Sequence, residues 1–221
     1  MKSRATVGRW LPLAAVLVLA ACGGSSKSSS APGTTTDATG CSTVAAPASA
    51  ARTESKPKAA LDPSKTYAVT MATNCGVFTI KLAVKTSPAT SASFVNLVRK
   101  GFFDHTVFHR IVPGFIIQGG DPTASGEGGP GYTTVDAPPA STRYTLGIVA
   151  MAKTQTEPSG TSGSQFFVVT AQDAQLPPQY AVLGTVTSGL PVIDRIGKLG
   201  DPSTEQPTEV VEIQKATVTA K

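Results

Sequence analysis

The 221-residue sequence predicts an all-β protein, a closed eight-stranded antiparallel barrel capped by two helices, and three observations carry that prediction. Eight short runs rich in β-branched and aromatic residues are set apart by Gly, Pro and Asp. Only two stretches have a helical start and stop. All eight Phe fall between Phe78 and Phe167, whereas the single Trp, Trp10, stands far outside, so one phenylalanine-built core is expected in a domain spanning 61–221.

The segment 1–21 reads as a signal peptide: Lys2, Arg4 and Arg9 precede an apolar run of eleven residues, Leu11 to Ala21, broken only by Pro12. That run is shorter than the roughly 20 residues that cross a bilayer. It ends in Leu19-Ala20-Ala21-Cys22 and passes into Gly23-Gly24-Ser25-Ser26, which resembles the lipobox of bacterial lipoproteins. The resemblance implies that Cys22 is the lipid attachment point and first mature residue, and that the protein is extracytoplasmic and anchored to the bacterial cell membrane. An ordinary secretory signal is the alternative. The segment 22–60 is Ser, Thr, Ala and Pro with no aromatic residue, so it is read as a flexible tether. Cys41 and Cys75 are either a disulfide, permitted in an oxidising compartment, or two free thiols; the tether offers Cys41 little means of burial, which favours the bridge.

Within the domain, Tyr67 to Thr73 and Val77 to Leu82 are strand runs joined by Asn-Cys-Gly, a hairpin pattern. Ser87 followed by Pro88 starts a helix that places Phe94, Leu97 and Val98 on one face and stops at Arg99-Lys100-Gly101. Further strands are read at Thr106 to Ile111, Phe115 to Gln118, Leu146 to Ala152, Phe166 to Thr170, Ala181 to Val186 and Val210 to Val218. The second helix is Leu190 to Lys198, with Val192, Ile193 and Ile196 on one face.

Several function classes are excluded. The net charge of +5 arises wholly in residues 1–60, with seven Lys or Arg against two acids, while 61–221 carry twelve of each, so nucleic acid is not an expected partner. His105 and His109 are four apart on a strand, roughly 13 Å, too far to share a metal, and no cofactor is expected. Gly163-Ser164-Gln165 lacks the second glycine of a nucleophile elbow. The glycine-rich stretch Gly119 to Gly131 has two acids, Asp121 and Glu127, and no Lys or Arg, so it reads as a shaped loop rather than a phosphate cradle.

The run Phe108-His109-Arg110-Ile111-Val112-Pro113-Gly114-Phe115-Ile116-Ile117-Gln118-Gly119-Gly120-Asp121 resembles the signature of the cyclophilin family of peptidyl-prolyl isomerases. Gly147 to Ala152, followed by Gly163-Ser164-Gln165-Phe166-Phe167, resembles the family's second hallmark. Together the resemblance spans about residues 65 to 218. It implies a rotamase that accelerates X-Pro rotation and assists folding, working as a monomer on proline-containing segments of folded or unfolded proteins. Carried over by position, it makes Arg110 the catalytic arginine and lines the groove with His109, Phe115, Ile116, Gln118, Ala152, Lys153, Gln165, Phe167, Leu176 and Tyr180. Phe115, Ile116, Phe167 and Leu176 would hold the proline ring, Gln118 a substrate carbonyl, and the Lys153 backbone an extended peptide.

The departures are Gln175 at the family's groove tryptophan, Tyr180 at its groove histidine, Ile116 for methionine, Lys153 for asparagine, and a longer loop from Lys153 to Gly163. A proline-binding module or holdase without turnover is the alternative function. The retained Arg110 argues against it.

Overall fold

The computed structural model describes residues 39–221; the signal peptide, Cys22 and the start of the tether lie outside the described residues. In chain order the elements are β1 Tyr67–Thr73, β2 Gly76–Leu82, α1 Pro88–Arg99, β3 Thr106–Val112, β4 Ile116–Asp121, β5 Thr134–Val135, β6 Ile148–Met151, β7 Thr161–Ser162, β8 Phe166–Val169, β9 Val182–Ser188, α2 Leu190–Gly197 and β10 Glu212–Ala220. Eight strands close a barrel in the order β1-β10-β3-β4-β8-β6-β9-β2, every pair antiparallel. These are the eight runs read from the sequence. The pair β5 and β7, joined through Thr134 to Ser162 and Val135 to Thr161, is additional. Two-residue strands carry no alternation that a sequence pattern can register.

The period of two sorts side chains between the two faces of each strand. On β1 and β2, Val69, Met71, Phe78 and Ile80 turn inward and are fully buried. They join Phe94, Phe102, Phe103, Phe108 and Phe166 in the main core, where Phe94 stacks on Phe103 at 4.6 Å and meets Phe166 edge-on at 5.6 Å. Burying one such ring contributes about 1.5–3 kcal/mol. All four residues of β8 are buried: Phe166 and Val168 face the main core, whereas Phe167 and Val169 face a second apolar cluster on the outside of the barrel.

Helix α1 begins at Pro88 as expected, but the Ser87 side chain makes no capping bond. The Asp136 carboxylate instead accepts from the free Thr90 N–H at 2.6 Å. Strand β4 runs three residues further than its apolar pattern suggests, through Gly119 and Gly120 to Asp121. Gly120 has φ +86°, and a Cβ there would stand 2.5 Å from the Ser164 carbonyl oxygen, so no side chain fits where the strand meets its neighbour.

The segment read as a flexible tether departs from that reading over residues 39–60, which form one compact unit with the barrel. A disulfide joins Cys41 to Cys75, and Ser42 and Asn74 exchange two hydrogen bonds of 2.8 Å. Further along, the Arg52 guanidinium donates to the carbonyls of Phe102 and Asp104, and Glu54 pairs with Lys100 at 2.7 Å. The composition argument weighs only apolar burial, and this segment is held by hydrogen bonds, an ion pair and one covalent link.

Candidate active site

The chain crosses from β3 to β4 at Pro113-Gly114, and the register then sets functional side chains in a row. Arg110 lies opposite Gln118, Gln118 opposite Phe167, and Phe167 opposite Ala150, so four adjacent strands present these residues on one face. A bulge makes this possible. Phe108 pairs with Gly119 and Arg110 with Gln118, leaving His109 as the extra residue of β3. Strict alternation could not bury both Phe108 and Ile111; the bulge buries both, each at 0% exposure, and leaves Arg110 half exposed.

Arg110 is held from two sides. Its Nε donates to Glu205 Oε2 at 2.7 Å and its Nη1 to Gln118 Oε1 at 3.3 Å. Gln118 Nε2 donates to Gln165 Oε1 at 3.0 Å, and Gln165 Nε2 to the carbonyls of Gly126 and Gly128 at 2.8 and 3.0 Å. Among the described residues no acceptor meets Arg110 Nη2, so that nitrogen keeps its donors for another partner.

Beside this polar line lies the outer apolar cluster. Ile116, Phe167, Tyr144, Ala150 and Val169 are buried within it, and Phe115, Ala152, Leu176 and Tyr180 pack on them while partly exposed. Phe167 meets the Tyr180 ring edge-on at 5.4 Å. Tyr144, which the sequence reading did not select, is fully buried; its hydroxyl donates to the Tyr180 carbonyl at 2.7 Å and accepts from the Tyr180 N–H at 2.9 Å. Burial pushes the Tyr144 hydroxyl pKa up, so it stays a donor. Lys153 bends over the rim: its Nζ is 5.7 Å from the Tyr180 centroid and donates to the carbonyls of Thr154 and Glu157.

A cavity of about 770 Å³ adjoins the cluster. Gln118, Ala152, Lys153 and Gln165 stand along it, and the glycine-rich loop from Gly126 to Thr133 forms its far wall. Asp121 shapes that loop, with both carboxylate oxygens turned onto Thr123, Gly126 and Gly128.

The structure thus brings together ten of the eleven residues read as groove-forming, through the polar line, the cluster or the rim. His109 stands apart: both ring nitrogens are buried without a partner, and it belongs to neither the cluster nor the cavity wall. Burial, with Arg110 beside it, lowers its pKa against the opposing pull of Asp121, so the ring is neutral. Glu205 was not legible, since it arrives from a loop 95 residues away at φ +59°, with its carbonyl bonded by Ile111 N–H. Among the described residues no group of three or more His, Cys, Asp and Glu could hold a metal ion.

A guanidinium whose Nη2 is unengaged, fixed next to an apolar cluster on the outer face of a closed barrel, is suited to stabilising a polar group that changes shape. The chain belongs to the cyclophilin-type peptidyl-prolyl cis-trans isomerase family, whose model, described as "Cyclophilin type peptidyl-prolyl cis-trans isomerase/CLD", matches residues 68–218. It is similar to peptidyl-prolyl cis-trans isomerase CYP18-2 of Arabidopsis thaliana, 38% identical over 154 residues that cover 68% of this chain and 92% of the relative. It is also similar to a peptidyl-prolyl cis-trans isomerase-like 1 of Gibberella zeae, 38% identical over 154 residues covering 68% and 93%. A crystal structure of a cyclophilin-type isomerase from Cryptosporidium parvum superimposes with a TM-score of 0.64 at 28% identity, covering 70% of this chain and 98% of that one. The same isomerase in the presence of the dipeptide Ala-Pro gives 0.64 at 29%, covering 69% and 98%. The chain is a peptidyl-prolyl cis-trans isomerase.

Proposed function

We propose that the isomerase acts on X-Pro bonds of extracytoplasmic proteins, assisting their folding, with Arg110 as the group that stabilises the rotating amide. An uncatalysed X-Pro bond turns over slowly because rotation breaks amide resonance, a barrier of about 18–20 kcal/mol. Only interactions stronger in the twisted amide than in either planar isomer lower that barrier. In the twisted state the prolyl nitrogen regains its lone pair and accepts a hydrogen bond. The open Nη2 edge of Arg110, always charged and always a donor, meets that need. Glu205 at Nε and Gln118 at Nη1 hold the fork so that little reorganisation is left for the reaction step. The proline ring rests on Phe115, Phe167 and Leu176 over buried Ile116, and the Gln118 amide, with one N–H engaged by Gln165, offers the other to a substrate carbonyl.

The two-sided support of Arg110 beside the apolar cluster is the observation that carries this assignment. Arg110→Ala should lower kcat/KM on the order of a hundredfold, the scale of losing one transition-state donor, while peptide binding weakens far less. Near-parental turnover would overturn it, and turnover in the parent is what a holdase would lack.

The cell-surface part of the reading rests on Leu19-Ala20-Ala21-Cys22, with lipidation at Cys22 and the remaining protein a monomer outside the cytoplasm. The Cys41–Cys75 disulfide supports an oxidising compartment. Cys22→Ser should release the protein from membranes. Identical fractionation of variant and parent would refute the anchor.

A further inference from the structure

The family match starts at residue 68, so the segment from Cys41 to Lys56 lies wholly outside it. Yet this segment reaches the substrate groove from behind. Glu54 N–H donates to the Pro130 carbonyl at 2.9 Å, Lys56 Nζ donates to the Thr133 carbonyl at 3.0 Å, and a Cβ on Gly131 would stand 3.0 Å from the Thr53 methyl. Pro130, Gly131 and Thr133 all line the cavity beside Gln118 and Gln165. We infer that the segment Cys41–Lys56 is a brace that sets the far wall of the cavity and thereby selects the residues flanking the X-Pro bond.

The wall needs such support. Gly126, Gly128, Gly129 and Gly131 supply much of it, and glycine holds a conformation only where something else fixes it. Its first half is fixed by the domain itself, through Asp121 and Gln165. In its second half, among the described residues, the one side-chain bond from the domain is between Tyr132 Oη and Ser93 Oγ at 2.9 Å, and the other anchors come from the brace.

The brace is itself pinned along its length. The disulfide holds one end, and Ala50 N–H donates to the Pro122 carbonyl at 3.1 Å. Arg52 clamps the turn after α1, donating to Gly101, Phe102 and Asp104, and Glu54 pairs with Lys100. Of its residues only Cys41 belongs to the main core, so the clamp at Arg52 can be removed without opening that core. Arg52 is thus a positioning residue. It touches no cavity atom and acts through the wall.

The inference rests on the groove reading above, and the experiment separates the two. In the full chain, Arg52→Ala, Arg52→Lys and Lys56→Ala are compared with the parent on a blocked dipeptide that reaches only the apolar pocket and on a seven-residue peptide with proline at its centre. Hydrogen exchange is followed for the Glu54 amide, whose N–H is bonded to the Pro130 carbonyl. Arg52→Ala should raise KM for the longer peptide about threefold, the scale of one modest hydrogen bond, with kcat unchanged and both constants unchanged for the dipeptide. The Glu54 amide should exchange faster. Arg52→Lys, which keeps a cationic donor, should restore part of the loss, and Lys56→Ala should act in the same direction with less effect. Equal changes on both peptides would mean general destabilisation and overturn the inference, as would no change in KM and exchange. Should Arg52→Ala fail to fold, Lys56→Ala, altering one exposed side chain, decides alone. If Arg110→Ala keeps full turnover, the groove reading fails, while exchange at the Glu54 amide still tests the brace.

Discussion

Asp121 terminates β4 and is fully buried, and Asp121→Asn removes its charge with almost no change in shape. Its Oδ1 accepts from Thr123 N–H and Thr123 Oγ1 at 2.7 Å each; its Oδ2 accepts from Gly126 N–H at 2.7 Å, Gly128 N–H at 3.1 Å and Ser125 Oγ at 3.4 Å. An amide has one acceptor oxygen, so either orientation turns an NH2 group against backbone N–H donors. A buried donor left unmet costs about 1–3 kcal/mol; with two displaced, and water partly replacing the acceptor at this loop, the loss should be about 2–4 kcal/mol. The pH dependence checks the cause. Burial alone would push the Asp121 carboxyl up, but the donors on Thr123, Gly128 and Gly126 outweigh it and hold the pKa below the usual carboxylate value. A group depressed in the folded state stabilises above its unfolded pKa, about 3.9, and loses that stabilisation as pH falls through the folded value. Urea unfolding followed by circular dichroism should therefore show a gap between parent and variant that is full at about pH 7 and shrinks below about pH 4, with the denaturant slope unchanged. Because Gly126 and Gly128 carbonyls receive Gln165, the variant should also show a raised KM. A gap under about 1 kcal/mol at neutral pH, or one that stays constant into acid, would refute the reasoning.

Glu205→Gln should lower kcat/KM about threefold to tenfold by replacing a charged acceptor at Arg110 Nε with a neutral one, and should have no further effect in an Arg110→Ala background. Equal losses in both backgrounds would show that Glu205 acts elsewhere. kcat/KM should be flat from about pH 6 to 9, since Arg110 stays charged and His109, its pKa lowered by burial and by Arg110, stays neutral; a bell-shaped profile would contradict this.

The barrel was legible because each wall strand carries its own signal. Tyr67–Thr73 alternates in one direction and Val77–Leu82 in the other, and closure follows from matching eight such ribbons. The ends of the strands were less legible wherever glycine continued the ladder, as at Gly119 and Gly120 in β4, because strand propensity falls there while the hydrogen bonding does not. The groove residues were legible for a different reason: Arg110, Phe115, Gln118, Gln165 and Phe167 sit in two dense runs, and direct strand pairing makes neighbours of them. His109 shows the cost of reading from position alone. The bulge that aims Arg110 outward takes up His109 as its extra residue and buries its ring nitrogens.

Glu205, Tyr144 and the brace escaped the sequence for one shared physical reason: each either acts through, or is positioned by, a bond to main chain. Tyr144 holds Tyr180 by its main-chain N–H and carbonyl, the brace meets the loop at the carbonyls of Pro130 and Thr133, and Glu205 is aimed by a loop whose carbonyl is bonded by Ile111 N–H. Every residue but proline offers the same N–H and carbonyl, so such bonds leave no preference in the partner's side chain and no periodicity to detect. The side chains read as groove-forming are therefore conspicuous in the sequence, whereas the residues that hold them in place become visible only when the chain closes on itself. On that argument, substitutions that change this isomerase's preference among flanking residues without altering its turnover belong outside the two signature runs, at positions such as Arg52 and Lys56, where the bond lost is to main chain.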